Sequence, residues 1–329
     1  MAGGTLYAII GNTRDGTRNI LDGYNSGKVQ FGGGPSRGNG AGAAPAGVFR
    51  MKIQYLGTAA AEGWPGLFCR CEACRRAGEL GGRNLRTRSQ ALIDDHLLID
   101  FPCDTYAHML RNGVDIPHIR SCLITHCHED HFYPTDLQNR SEVYAQGLDD
   151  RMTLYGNDRM AETLRDFAAG PGAGMQVDYQ ELPVYRPAKI EEYEVIPLPA
   201  RHNPAERCYN YIISDGKSTI LYAHDTGMPR EEVWQFLSGF AFDLVSLDCT
   251  GLMLSTRGGG HMCFEENLIM RERMLREGMA GAHTVFVANH FSHNGAKDPQ
   301  GRIWMYEETS ARMKEQGFLM SWDGLTLEI

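Results

Sequence analysis

Between residues 125 and 131 the chain reads Thr-His-Cys-His-Glu-Asp-His, directly after the apolar run Cys122-Leu123-Ile124. Three histidines and an aspartate fall within six residues, in a chain holding 12 histidines among 329 residues, so chance clustering is a poor explanation. Side chains two apart on an extended segment point the same way. His126 and His128 can therefore grip one cation, and Asp130 and His131, where the chain leaves the strand, can turn toward a second. Imidazole with carboxylate suits Zn²⁺, Mn²⁺ or Fe²⁺.

Two cations need more donors than this string offers. His202 follows the apolar stretch Val195–Ala200, Asp225 follows Tyr222-Ala223, and His290 ends Val285–Asn289. Each repeats one pattern, a ligand at the end of an apolar strand, and a carboxylate at such a position can bridge cations about 3.5–4 Å apart. Such strand ends can gather at one edge of a sheet sandwich.

The rest of the chain supplies that scaffold. Extended candidates are 51–56, 91–100 (turning at Asp94-Asp95), 119–125, 194–199, 210–223, 242–248, 284–289 and 318–329. Asp215-Gly216 and Asp323-Gly324 lie between β-prone runs and predict hairpins. Helical candidates are 103–112, 159–169, 229–238, 264–278 and 303–316, the last ending at a capping Gly317. Hairpins mixed with helices favour an α/β (α+β) sandwich covered by helices over a strictly alternating parallel sheet. Met270, Met274 and Met279 read as core or interface. His96, His108, His118 and His283 read as solvated or capping, and His224 is left unassigned.

Charge narrows the substrate. The formal net charge is −9; residues 1–50 hold five basic and two acidic residues, which leaves −12 on the remainder. Such a body repels nucleic-acid phosphates, and no Lys/Arg run offers a compensating groove. A small phosphate ester stays open. No apolar run reaches the roughly 18–20 residues of a membrane helix, and the first residues lack the order of a secretory signal. The expectation is a cytoplasmic protein with reduced thiols, in which Cys69, Cys71 and Cys74 form a metal site one ligand short of closure. Residues 32–47 (GGGPSRGNGAGAAPAG) bury almost nothing. The reading divides the chain into a disordered leader at 1–50 and one folded domain at 51–329. A homodimer is left open.

The ordered set His126-x-His128-x-Asp130-His131, then His202, Asp225 and His290, resembles the metallo-β-lactamase superfamily. The likeness runs from Met51 to Ile329 and includes Gly57-Thr58 and Ile99-Asp100. It implies a four-layered αββα sandwich with two catalytic divalent metals, zinc or manganese with iron also compatible. By that resemblance His126, His128 and His202 hold one metal, Asp130, His131 and His290 the other, and Asp225 lies between. Cys69, Cys71 and Cys74 with His293 resemble the structural zinc site of the phosphoribosyl cyclic phosphodiesterases. His261, in Gly258-Gly259-Gly260-His261, stands where those enzymes and ribonuclease Z keep a general acid, and Glu265 is the expected orienting partner. Arg201, Asn203, Tyr209 and Asn294 flank ligands and are candidates for phosphate contact.

The resemblance therefore implies a metal-dependent phosphodiesterase acting on a small, cyclic or open, ribosyl or nucleotide-like phosphodiester, with His261 and Asp130 catalytic. Within the same fold the rivals are a ribonuclease Z-like nuclease, a thioester or lactone hydrolase, and an oxidoreductase with iron. A non-catalytic zinc-binding sensor or scaffold is the rival of another class.

Overall fold

Period-2 burial sorts the strands of this chain into two packed sheets. The computed structural model describes residues 51–148, 150–254 and 259–329, so the leader expected at 1–50 lies outside the described residues. The elements run β1 (Lys52–Gly57), α1 (Glu72–Leu80), β2 (Gln90–Ile93), β3 (Leu97–Ile99), α2 (Thr105–Asn112), β4 (Ser121–Leu123), β5 (Met152–Gly156), α3 (Asp158–Ala168), β6 (Val177–Glu181) and β7 (Ala188–Ile190). They continue β8 (Tyr193–Pro199), β9 (Tyr209–Ser214), β10 (Thr219–Ala223), α4 (Glu231–Leu237), β11 (Leu244–Asp248), α5 (Phe264–Arg276), β12 (Val285–Asn289), α6 (Tyr306–Glu315), β13 (Leu319–Met320) and β14 (Leu325–Glu328). One sheet has the order β14-β1-β2-β3-β4-β5-β6, the other β13-β12-β11-β10-β9-β8-β7.

Alternation places each side chain in its layer. In β3, Leu97 and Ile99 join the core between the sheets, with Ile53, Tyr55, Ile213, Ile220 and Tyr222. Leu98 between them faces outward, to a layer containing Met160 and Leu164 of α3. In β10, Leu221 turns away from its neighbours toward Val233 and Trp234 of α4 and Met270 and Met274 of α5. The result is the αββα sandwich, with helices on both outer faces. Met270, Met274 and Met279 are fully buried there as core.

Strand direction positions the chemistry. β3, β4 and β5 run parallel in the first sheet, and β10, β11 and β12 run parallel in the second. Their C-terminal ends carry Asp100, the 125–131 string, Asp225, Asp248 and His290.

Several local expectations need correction. Asp323-Gly324 is not a hairpin, because β13 pairs with β12 in one sheet and β14 pairs with β1 in the other. The turn is instead a crossing between sheets. Gly324 sits at φ +94°, and Asp323 accepts hydrogen bonds from Thr58 Oγ1 at 2.7 Å and Thr87 N at 2.7 Å. Asp215-Gly216 does join an antiparallel pair, with Ser214 opposite Thr219. Helix α1 and strands β5, β6 and β7 were not anticipated. Cys71 caps α1 by accepting from Cys74 N, while four of the five residues of β6 are exposed, as suits an edge strand.

Ile220 is fully buried between the sheets. Ile220→Ala is expected to cost about 2–5 kcal/mol of stability. Urea unfolding should show a lower midpoint with an unchanged slope.

Candidate metal centre

Each strand end delivers its side chain to one buried point. Asp225 follows β10 at φ +52°, His290 follows β12 at φ +61°, and Asp100 follows β3 at φ +66°. Three non-glycine residues held in the left-handed region, all at strand ends beside the centre, are strain that the surrounding packing maintains.

His126 Nε2 lies 2.9 Å from His128 Nδ1 and 3.2 Å from Asp225 Oδ2, and His202 Nε2 lies 3.0 Å from His128 Nδ1. Beside this group, His131 Nε2 lies 3.1 Å from His290 Nε2 and 3.3 Å from both Asp130 Oδ2 and Asp225 Oδ2. Within each group the donor atoms all approach one another within 4.8 Å, and Asp225 belongs to both. A tetrahedral Zn²⁺ with Zn–N bonds of about 2.0–2.1 Å sets its ligand atoms about 3.3–3.4 Å apart. The residues present therefore fit two neighbouring divalent cations. Asp225 Oδ1 supports the fit: it is buried and lacks a well-formed hydrogen bond, though Nδ1 of His202 and His261 lie 3.1 and 2.9 Å away.

Oxygen atoms behind the ligands aim the rings. Asp100 is fully buried; its Oδ2 lies 2.7 Å from His131 Nδ1, and its Oδ1 accepts from Thr125 N at 2.8 Å. Thr250 Oγ1 lies 2.8 Å from His290 Nδ1, and Gly260 O lies 3.2 Å from His202 Nδ1. With the outer nitrogen engaged, the inner nitrogen of each ring is left for the centre. Burial alone would lower the His131 pKa, but Asp130 and Asp100 carry it well above the usual value. Burial would raise Asp130, yet the neighbouring His131 holds it below the ordinary carboxylate range.

His261 stands at the rim, its side chain 35% exposed. Burial would push its pKa down, but Asp225 and Asp248 raise it to about 10. The partner expected from the sequence was Glu265, which is exposed at the start of α5. The structure instead sets His261 Nδ1 3.5 Å from Asp248 Oδ2, and the same oxygen is 3.5 Å from His290 Nδ1. Asp248 is fully buried, accepts from Met262 N at 2.8 Å and has its pKa lowered to about 2: burial opposes the shift, and the two histidines outweigh it. The sequence reading missed Asp248, although it ends the apolar strand Leu244-Val245-Ser246-Leu247 just as the ligands end theirs.

The cysteine cluster forms a separate group. Cys71 Sγ and Cys69 Sγ lie 3.5 and 3.9 Å from His293 Nδ1, and Cys74 closes the set. About 3.6 Å is the sulfur–nitrogen separation implied by Zn–S near 2.3 Å and Zn–N near 2.0–2.1 Å. Gly66 is needed here, since a Cβ would stand 2.9 Å from His293 Nε2. None of the nine cysteines forms a disulfide.

Other histidines divide clearly. His224 is buried behind the centre, 2.7 Å from Ser246 Oγ and 3.1 Å from Asn289 Nδ2, with burial driving its pKa well below the usual value. His108, expected to be solvated or capping, is fully buried, its nitrogens 2.6 Å from Gln90 Oε1 and 2.7 Å from Thr87 Oγ1. His118 and His283 are exposed and His96 half-buried. Among the flanking candidates, Tyr209 is buried in the core and donates to Leu182 O at 2.8 Å. Asn203 Nδ2 does reach the centre, 3.3 Å from His128 Nε2. Among the described residues, no helix is long and apolar enough to cross a membrane.

Comparison with known proteins agrees with the fold. Residues 97–286 match the family described as the beta-lactamase superfamily domain. The fold is similar to a crystal structure described as a new diphosphatase from the PhnP family, at 22% identity and a TM-score of 0.64, over 85% of this chain and 98% of that one. It is also similar to Zn²⁺-bound PqqB from Methylobacterium extorquens, at 19% identity and a TM-score of 0.61, over 84% and 100% of the two chains. Human tRNase Z, short form, aligns at 14% identity with a TM-score of 0.56, over 84% and 98%. Curated proteins yield no match.

Asp100→Ala removes the acceptor behind His131 and Thr125. Divalent-metal affinity at the paired site is expected to fall about 10–100-fold, read by competition with a chromogenic chelator, while zinc held by the cysteine group stays in place.

Proposed function

The chain belongs to the beta-lactamase superfamily and has the metallo-β-lactamase fold, and on that premise we propose that it is a metal-dependent phosphodiesterase acting on a small ribosyl or nucleotide-like phosphodiester, cyclic or open. The observation that carries the reading is the placement of His261. It is the half-exposed imidazole beside a buried ligand set, and its Nδ1 is turned toward Asp225 and Asp248.

In this reading His126, His128, His202 and Asp225 hold one divalent cation, and Asp130, His131, His290 and Asp225 hold the other. Such a pair, when bound, supplies a hydroxide nucleophile near neutral pH and polarises a phosphoryl oxygen. The chain's own residues do the rest. Asp130, kept ionised beside His131, offers an acceptor on the nucleophile's side. His261 keeps Nδ1 on the carboxylates and presents Nε2 to the departing oxygen. One P–O bond forms to water oxygen and one breaks; the proton from His261 goes to the leaving oxygen, and the proton released by water restores the imidazolium. Asp248 holds that ring in place and, through His290 Nδ1, ties it to the ligand set. Cys69, Cys71, Cys74 and His293 would hold a structural zinc that closes the first loop against the turn after β12.

Phosphodiester chemistry is favoured over thioester cleavage because a poor leaving group such as a ribose oxygen, unlike a thiolate, needs a dedicated proton donor. The acidic body favours a small substrate over RNA. Every donor of the paired site is present, which favours an enzyme over a zinc-binding scaffold. Metal-loaded protein is expected to hold three metal equivalents per chain and to turn over bis-p-nitrophenyl phosphate. A single tightly held zinc, or thioester cleavage without phosphodiester turnover, would overturn the reading. His261→Ala is expected to retain its metal while the phosphodiesterase rate drops about 10²–10⁴-fold; an unchanged rate would remove His261 from the mechanism.

A further inference from the structure

The run Cys71-Glu72-Ala73-Cys74 sets two thiols three residues apart at the start of α1. Cys71 is the N-terminal cap, and its Sγ accepts from Cys74 N at 3.4 Å. A Cys-X-X-Cys pair opening a helix favours the thiolate of its first member and leaves the second placed to close a disulfide. Exposure sets this pair apart. Of the nine cysteines Cys71 alone is exposed, with Cys74 buried behind it. Oxidation-sensitive thiols have that form: an accessible thiolate beside a resolving partner. The donor atoms of Cys69, Cys71, Cys74 and His293 all lie within 4.8 Å of one another, which leaves the Cys71 and Cys74 sulfurs near enough to join.

The loop that carries the cluster has little packing of its own. Between residues 67 and 72 no side chain is buried, and Leu67 and Phe68 are 70% and 95% exposed. Polar atoms fasten it instead to the turn after β12. Glu62 accepts from Ser292 Oγ, and Glu62 Oε1 lies 3.6 Å from His293 Nε2. His293 stands three residues after His290. Thr250 Oγ1 lies 2.8 Å from His290 Nδ1, and Thr250 O accepts from Ser292 N at 3.4 Å. The cysteine group and the paired site therefore share the short segment 290–293.

We infer that Cys71 and Cys74 form an oxidation site: a peroxide converts this zinc-binding dithiol to a disulfide, frees the zinc and weakens cation binding at His131 and His290. The inference rests on the structural-zinc reading of the cysteine group. The Cys71 thiolate attacks one peroxide oxygen; an S–O bond forms, the O–O bond breaks, and the expelled hydroxide takes a solvent proton. The Cys74 thiolate then attacks the Cys71 sulfur. An S–S bond forms, the S–O bond breaks, and a second hydroxide leaves and is protonated to water. The sulfurs lose two electrons and the peroxide gains them. Cys69 and His293 are left as half of a tetrahedral set, and the turn after β12 loses its fastening at His293.

The test uses protein carrying zinc on the cysteine group and Mn²⁺ at the pair, a division that thiolate and carboxylate donors favour. Hydrogen peroxide is expected to release about one zinc per chain to a chromogenic chelator. Trypsin cleaves after Arg70 and Arg75, so peptide 71–75 should be two hydrogens lighter, as an internal disulfide requires. Mn²⁺ affinity, read from the paramagnetic resonance of the free ion, should fall about 10–100-fold and return with dithiothreitol and zinc. C71S/C74S should show the lowered Mn²⁺ affinity from the start and no further change with peroxide. Zinc retained with both thiols intact, or Mn²⁺ affinity that survives zinc release, overturns the inference; so does a further peroxide-induced loss in C71S/C74S. The measurements on the unaltered protein stand whether or not the variant folds. Equal zinc content in the two proteins before any peroxide is a separate result, which removes the structural-zinc reading and the inference with it.

Discussion

Five imidazoles and two carboxylates crowded into one pocket, all buried except the partly exposed His128 and His202, form an arrangement that cannot satisfy itself. His126, His128 and His202 aim ring nitrogens at one another from about 3 Å, and His131 and His290 do the same beside them. Protons can bridge some of these pairs, but three converging nitrogens have too few hydrogens among them for every lone pair. Buried polar groups without partners are costly. Positive charge between the rings removes the conflict, and the rest of the molecule keeps the rings aimed at that point.

The sandwich accomplishes this by division of labour. The inter-sheet core, with Ile53, Tyr55, Tyr211 and Ile220, fixes how the two sheets face each other. The parallel strands place their C-terminal ends on one edge. Asp100 and Asp248, one behind each sheet's contribution, then set ring orientation. Behind them His224, Ser246 and Tyr55 form a hydrogen-bonded column through the core. This carries the polar chemistry inward, with Ser246 Oγ within hydrogen-bond distance of both His224 Nε2 and Tyr55 OH.

Much of this was legible in the sequence because strand ends have a local signature: an apolar run followed by a side chain out of place in a core. His202, Asp225 and His290 could be read that way, and so, in hindsight, could Asp248. Two of the misreadings share a cause, which is that they depend on partners distant in sequence. Asp323-Gly324 has hairpin chemistry, but the strands on either side belong to different sheets, and Thr58 and Thr87 claim the aspartate. His108 looks like a surface helix residue until α2 packs against β1 and β2. Gly57 makes that packing feasible, because a Cβ there would stand 2.8 Å from the His108 ring and 1.9 Å from Arg88 O. Helix α1 stayed hidden because its cap is a cysteine, which the sequence reading reserved for metal.

His131 and His290 meet across 159 positions of chain, and Asp225 touches donors on both sides of it. No fragment ending before His290 contains the full set, and even the first group draws on residues from His126 to Asp225. Capture of the second cation is thus deferred until both sheets have docked and the chain has threaded nearly its whole length. Occupancy of the pair becomes a late certificate of assembly: a nascent or misregistered chain lacks the finished two-cation chelate, and only the completed molecule acquires all the charge its interior lacks.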